Sequence, residues 1–140
     1  MDEVIDYLTN IPAWFFATCE GDQPRVRPFS FAAEDGGKLW FCTATNKDVY
    51  AQLEANPKFE ASGWHPGQPW IVVTGEADLE DTVSEATRVA GYEHMTGLGE
   101  TYDGPNDPRL TFFSVKNGIA KIADIDGSER IIELLSLIHI

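Results

Sequence analysis

The chain has 140 residues, 43% of them hydrophobic and 11% aromatic, which suits one domain with its own core and is too apolar for a disordered segment. Ten basic residues against 23 acidic ones leave a formal charge of −13, a field that repels nucleic acid backbones and anionic membrane surfaces. No apolar run reaches the roughly 20 residues of a transmembrane helix, and the acidic start lacks the basic region and long apolar run of a secretory signal, so a cytoplasmic location is expected.

Met1–Asn10 has helical periodicity, with Val4, Ile5 and Leu8 apolar, and Ile11-Pro12 ends it. Trp14–Glu20 (WFFATCE) is aromatic and β-branched and stops at Gly21-Asp22, which predicts the first strand of a hairpin. Its partner runs from about Arg25 to Ala33, and Glu34-Asp35-Gly36-Gly37 turns the chain into a third strand, Lys38–Thr43. Thr45 and Asp48 then have the spacing of a capping box ahead of a short helix carrying Val49, Tyr50 and Leu53. Pro57 stops that helix near Asn56.

Strands are expected at Lys58–Trp64 and Trp70–Ala77, a helix over Asp81–His94, and a long loop over Thr96–Pro108. Leu110–Lys116 and Ile119–Ile125 are expected to pair as a hairpin through Asn117-Gly118. Leu134–Ile140 (LLSLIHI) is more apolar than a free terminus should be and reads as an appended, non-native tail or as a last strand, which leaves a domain over residues 1–133. About seven short strands with few helices predict a mainly β fold, an antiparallel barrel closed or nearly closed, because closure removes exposed strand edges.

Cys19 and Cys42 lie far apart without CxxC spacing and read as structural thiols, and His65, His94 and His139 form no metal-binding spacing. The chemistry concentrates instead in two segments, Gln23–Phe31 (QPRVRPFSF) and Thr43–Pro57 (TATNKDVYAQLEANP). Arg25 and Arg27 share one strand face by period-two alternation, and guanidinium forks suit pairs of phosphate oxygens. A helix N-terminus favours anions, and Lys47 placed there opposes the dipole unless an anion sits beside it. Thr43 and Thr45 add hydroxyl donors. Pro28 inside a strand removes a ladder donor and implies an edge or bulge. On residues alone, the cluster is either a phosphate site or a set of exposed arginines beside an ordinary helix cap.

The order GDQPRVRPFSF, GKLWFCTATNKDVYAQLEANPKFEAS and WIVVTGEADLE resembles the pyridoxamine 5′-phosphate oxidase-like, FMN-binding split-barrel family, especially its short bacterial members, over residues 3–133. The resemblance implies an antiparallel split β-barrel that forms a homodimer with FMN at the subunit interface. It implies that Arg25, Val26, Arg27 and Pro28 line the flavin. It also implies that Thr43, Thr45, Asn46 and Lys47 cradle the ribityl and phosphate oxygens, and that Trp70 approaches the ring from the second subunit. One departure bears on substrate: true pyridoxamine phosphate oxidases carry a C-terminal segment rich in arginine and histidine, whereas Asn117–Leu134 has only Lys121 and Arg130 as basic residues.

The expected function is therefore an FMN-dependent oxidoreductase of a small molecule, of flavin reductase type or nitroreductase-like, with reduced nicotinamide as electron donor. Nitroimidazole-resistance proteins share the fold and use a histidine near the flavin, and His65, in the loop before Trp70, is the best candidate proton donor by sequence. The alternatives are a non-catalytic module that stores or senses FMN, or holds haem or a deazaflavin, and an interaction domain with no cofactor.

Overall fold

A computed structural model describes residues 1–134 of the chain; of the apolar terminal segment only Leu134 falls within them, and residues 135–140 lie outside. Three helices and eight strands follow in the order α1 (Asp2–Thr9), β1 (Trp14–Glu20), β2 (Gln23–Phe29), β3 (Ala32–Asp35), β4 (Lys38–Ala44), α2 (Asp48–Ala55), β5 (Lys58–Gly63), β6 (Trp70–Asp78), α3 (Glu85–Gly97), β7 (Leu110–Ala123) and β8 (Glu129–Leu134). None of the described helices is long and apolar enough to cross a membrane.

All strands join one antiparallel sheet in the order β2-β1-β5-β6-β7-β4-β3, with β8 paired to β7. The end strands of that path, β2 and β3, are consecutive in the chain, so the sheet rolls back on itself while no ladder crosses between them. This gap is the split of a split barrel. It also corrects the expectation of one strand over Arg25–Ala33: the chain leaves the ladder at Ser30 and Phe31 and re-enters on the other side of the seam. Pro28 lies on the edge strand β2, where a missing backbone donor costs no ladder bond.

The barrel interior is aromatic. Trp14, Phe16, Phe29, Phe41, Phe59 and Phe113 are all buried, and Phe16 stacks on Phe29 with ring centroids 4.4 Å apart. A smaller second core of Phe31, Trp40, Cys42, Met95, Leu110 and Phe112 lies under α3. There Gly91 permits the close approach, since a Cβ at that position would lie 2.4 Å from the Phe112 ring.

Two element boundaries differ from the sequence expectation for local reasons. Helix α3 starts at Glu85 rather than Asp81, because Asp81 pairs with Lys38 at 2.8 Å and accepts from Ser114 at 2.6 Å, leaving Ser84 to cap the helix through Thr87 N–H. The Asn117-Gly118 hairpin is not formed. Instead β7 runs unbroken through it, and Thr74 pairs with Ile119 while Glu76 pairs with Lys116, so Asn117 and Gly118 together oppose Gly75 in a bulge. Asn117 takes the positive φ of 54° that this requires. The true turn falls at Asp124–Gly127 and leads to β8.

The outward sheet face carries several exposed apolar side chains. Register aligns Pro28, Phe15, Ser62, Val72, Lys121 and Ile131 in one row across six strands, and Val26, Ala17, Glu60, Thr74, Ile119 and Glu133 in the next. Val26 is 63% exposed, Phe15 55% and Ile131 61%, and Trp64 and Trp70 stand exposed at the ends of β5 and β6.

Candidate functional site

Strand β2 and the start of α2 meet beside the seam and enclose two adjoining clefts. The first, about 580 Å³, is polar and is lined by Glu20, Arg25, Val26, Arg27, Lys47, Asp48, Val49 and Gln52. The second, about 460 Å³, is more apolar: Pro12, Pro28, Phe29, Val49, Met95 and Leu98 form its walls, with Arg27, Ser30, Cys42, Thr43, Lys47 and Glu100 among them. Arg27, Lys47 and Val49 belong to both.

Each cation is held by a different device. Arg27 donates through Nη1 to the Phe16 carbonyl at 3.1 Å and Thr18 Oγ1 at 2.8 Å, and through Nη2 to Gln52 Oε1 at 2.6 Å, which ties β2, β1 and α2 together. Burial lowers the pKa of that guanidinium from its usual value, and Asp48 works against the shift. Arg25 is more exposed and pairs with Glu20 at 2.8 Å. Lys47 reaches Glu100 at 2.7 Å, and this hydrogen bond, with one from Tyr102, holds the Glu100 carboxyl below the ordinary range against a smaller effect of burial.

Lys47 is the N-cap of α2 in extended geometry, and no side chain caps the helix, so the capping box expected of Thr45 and Asp48 does not form. The reason is that Thr45 lies two positions before the actual N-cap: its N–H bonds the Arg109 carbonyl at 2.8 Å, and the helix begins only at Asp48. The first turn therefore presents backbone N–H groups and a lysine to the polar cleft, an arrangement suited to an anion.

Of the residues singled out by sequence, Arg25, Val26, Arg27 and Lys47 line the first cleft, and Arg27, Pro28, Thr43 and Lys47 the second. Thr45 and Asn46 are exposed in the turn before Lys47 and line neither. Trp70 also lines neither; its indole N–H donates to Ser62 Oγ at 2.7 Å on the outward sheet face. His65 is exposed and borders a separate cleft with Glu3, Asp6, Tyr7 and Asn10.

Sequence reasoning missed Gln52, Glu100 and the end of α3. The Thr96–Pro108 segment is pinned: Asp107 accepts from the Asp103 N–H at 2.8 Å and pairs with Arg109 at 2.7 Å, while Arg88 donates to the Pro105 carbonyl at 2.8 Å. It brings Leu98 and Glu100 to the second cleft. Beside them His94 Nε2 lies 2.8 Å from Ser30 Oγ. Cys42 also faces this cleft, its thiol pushed up to about 12 by burial, which leaves it un-ionised.

Sequence and structure comparisons place the family and the fold. A profile described as pyridoxamine 5′-phosphate oxidase matches residues 1–118. A NimC/NimA family protein of Clostridium acetobutylicum is 30% identical with a TM-score of 0.81, over 94% of this chain and 90% of that one. A pyridoxamine 5′-phosphate oxidase-related, FMN-binding protein of Nostoc punctiforme is 12% identical with a TM-score of 0.58, over 94% and 90%. An F420 reductase is 24% identical with a TM-score of 0.57, over 79% and 90%. The last two likenesses show the split-barrel fold. No curated protein sequence matches the chain significantly.

Proposed function

Because the chain belongs to the pyridoxamine 5′-phosphate oxidase family, whose members are flavin-related oxidoreductases, we propose that it is an FMN-dependent reductase of a small organic acceptor. The observation that carries this reading is the join between the two clefts: a polar chamber with Arg25, Arg27 and Lys47 opens onto a more apolar one through the shared Arg27 and Lys47. A phosphate with a polar tail fits the first and a flat ring the second. Arg25, Lys47 and the α2 N-terminus hold the phosphate, Arg27 fixes the wall between the chambers, and Val26, Pro28 and Thr43 border the ring and ribityl chain. Thr45 and Asn46 add donors at the rim.

The bound flavin supplies two-electron chemistry that no side chain offers, and reduced nicotinamide recharges it. The chain's part is to bind, orient and exclude water. The apolar outward sheet face is the surface on which a second copy packs, placing Trp70 of each subunit near the partner's site. Pyridoxamine phosphate is not the substrate on this reading: Arg130 pairs with Glu3 and Asp124, and Lys121 stands on the outward face rather than in either cleft. A nitro compound suits the more apolar chamber as acceptor.

The test is the visible absorption spectrum of the purified protein. A flavin spectrum that reduced nicotinamide bleaches and a nitroaromatic restores supports the proposal. A haem or deazaflavin spectrum contradicts it, as does colourless protein whose melting temperature excess FMN leaves unchanged. A flavin that never cycles points to storage or sensing instead.

A further inference from the structure

We propose that Ser30 and His94 form a proton relay for the acceptor held in the more apolar cleft, Ser30 giving the proton and His94 replacing it. The inference rests on the reductase reading above and goes beyond it by assigning the proton donor. Ser30 sits at the barrel seam, outside both ladders, so its side chain is free to line the cleft rather than fill the barrel. Its Oγ lies 2.8 Å from Nε2 of His94, which comes from the last turn of α3 and rests half-buried against the Phe31 ring, with centroids 5.6 Å apart.

The other polar groups facing the cleft are poor proton sources. Arg27 stays charged, Lys47 and Glu100 bind each other, Thr43 is buried with no titratable partner among the described residues, and the Cys42 thiol is held un-ionised by burial. Histidine is the side chain whose proton exchanges readily near neutral pH, and among the groups lining this cleft only Ser30 hydrogen-bonds one. The dyad differs from an activated nucleophile: no carboxylate among the described residues hydrogen-bonds the second imidazole nitrogen. That nitrogen is left to exchange protons with solvent.

The atoms balance for a nitro acceptor. The acceptor R–NO₂ takes an electron pair as hydride from the reduced cofactor and a proton from Ser30 Oγ; one N–O bond breaks and water leaves, giving R–NO. Ser30 Oγ recovers its proton from His94 Nε2, and His94 takes one from solvent at the other nitrogen.

The experiment compares the parent with Ser30→Ala, Ser30→Thr and His94→Gln. FMN-loaded protein, reduced without oxygen, is mixed with nitrofurazone and flavin reoxidation is followed by stopped flow. Loss of a general acid slows such a step by roughly 100-fold or more, so Ser30→Ala and His94→Gln reoxidise that much more slowly with FMN affinity within about twofold of the parent, and Ser30→Thr restores most of the rate. In flavin-free protein the His94 imidazole ¹⁵N resonances move in Ser30→Ala, which reads the hydrogen bond independently of turnover. Unchanged reoxidation in variants that bind FMN, or unchanged His94 resonances, overturns the relay alone. A parent that binds no FMN overturns the cofactor reading and the relay with it.

Discussion

Lys47 and Arg27 share both clefts but are built differently, and their substitutions separate accordingly. Among the described residues the Lys47 side chain hydrogen-bonds only Glu100, so Lys47→Ala removes the proposed phosphate contact and little else. FMN weakens by about 1.5 to 3 kcal/mol, the range for a hydrogen bond to a charged group, while the melting temperature barely moves. Arg27 braces three elements through Phe16, Thr18 and Gln52, so Arg27→Ala both weakens FMN and destabilises the flavin-free fold by about 1 to 3 kcal/mol. Calorimetric FMN titration and urea unfolding of the two variants measure both quantities.

On the proposed reading Glu100, paired with Lys47, competes with the cofactor phosphate for it. Removing its charge with Glu100→Gln tightens FMN by up to about fivefold, since an exposed pair is worth about 0.2 to 1 kcal/mol. The same pair sets a pH dependence. The folded-state carboxyl is held below its ordinary range, so it stabilises the fold above that range and the contribution fades as pH falls through the lowered value. In urea, the parent's advantage over Glu100→Gln is small at pH 7 and declines as the pH falls below the ordinary carboxylate range.

The cations were legible in the sequence because they recur within a short segment of an acidic chain. Their partners were not: Lys47 meets Glu100 across 53 residues and Ser30 meets His94 across 64, separations that leave no local pattern.

At the scale of elements, strand positions were readable from alternation and turn residues, and the errors fell where one local signal served another purpose. Asn117-Gly118 has the composition of a hairpin turn, and its positive φ is real, but it is used to absorb an extra residue within β7. Only the pairing with Gly75 distinguishes the two uses, and pairing is not local. Thr45 and Asp48 had capping-box spacing, yet the backbone bond from Thr45 to Arg109 delays the helix.

Helix α3 gives a prediction of reversed sign. Alanine ordinarily favours a helix interior over glycine by about 0.5 to 1 kcal/mol, but at Gly91 the added Cβ would lie 2.4 Å from the Phe112 ring. Gly91→Ala therefore destabilises the protein by about 1 to 3 kcal/mol, the usual cost of overpacking, and lifts α3, which carries Met95 and precedes Leu98, from the second cleft. Urea unfolding checks the first effect. A more stable variant would show that α3 is not packed as described.

For the molecule as a whole, the mainly β, antiparallel barrel was anticipated from about seven strands, which have few ways to bury their edges, and its split form from the family resemblance; the described residues form eight strands. The outward face was less visible: Phe15, Val26, Ile119 and Ile131 are scattered in the chain and become one surface only through register. Exposed apolar patches of that kind mark surfaces suited to an interaction, and the proposed assembly places a second copy there. If a second copy packs there, sedimentation velocity finds a dimer for the parent and a monomer for Phe15→Glu. A monomeric parent at micromolar concentration contradicts the proposed assembly.

On the proposed reading, Arg25, Lys47 and the start of α2 hold the phosphate of a flavin nucleotide beside the wall that Arg27 fixes. Isothermal titration of the flavin-free protein with FMN and, separately, with riboflavin isolates that phosphate. FMN is expected to bind at least tenfold more tightly, and Lys47→Ala to remove most of the difference. Equal affinity for the two, or a preference for FMN that survives in Lys47→Ala, contradicts it.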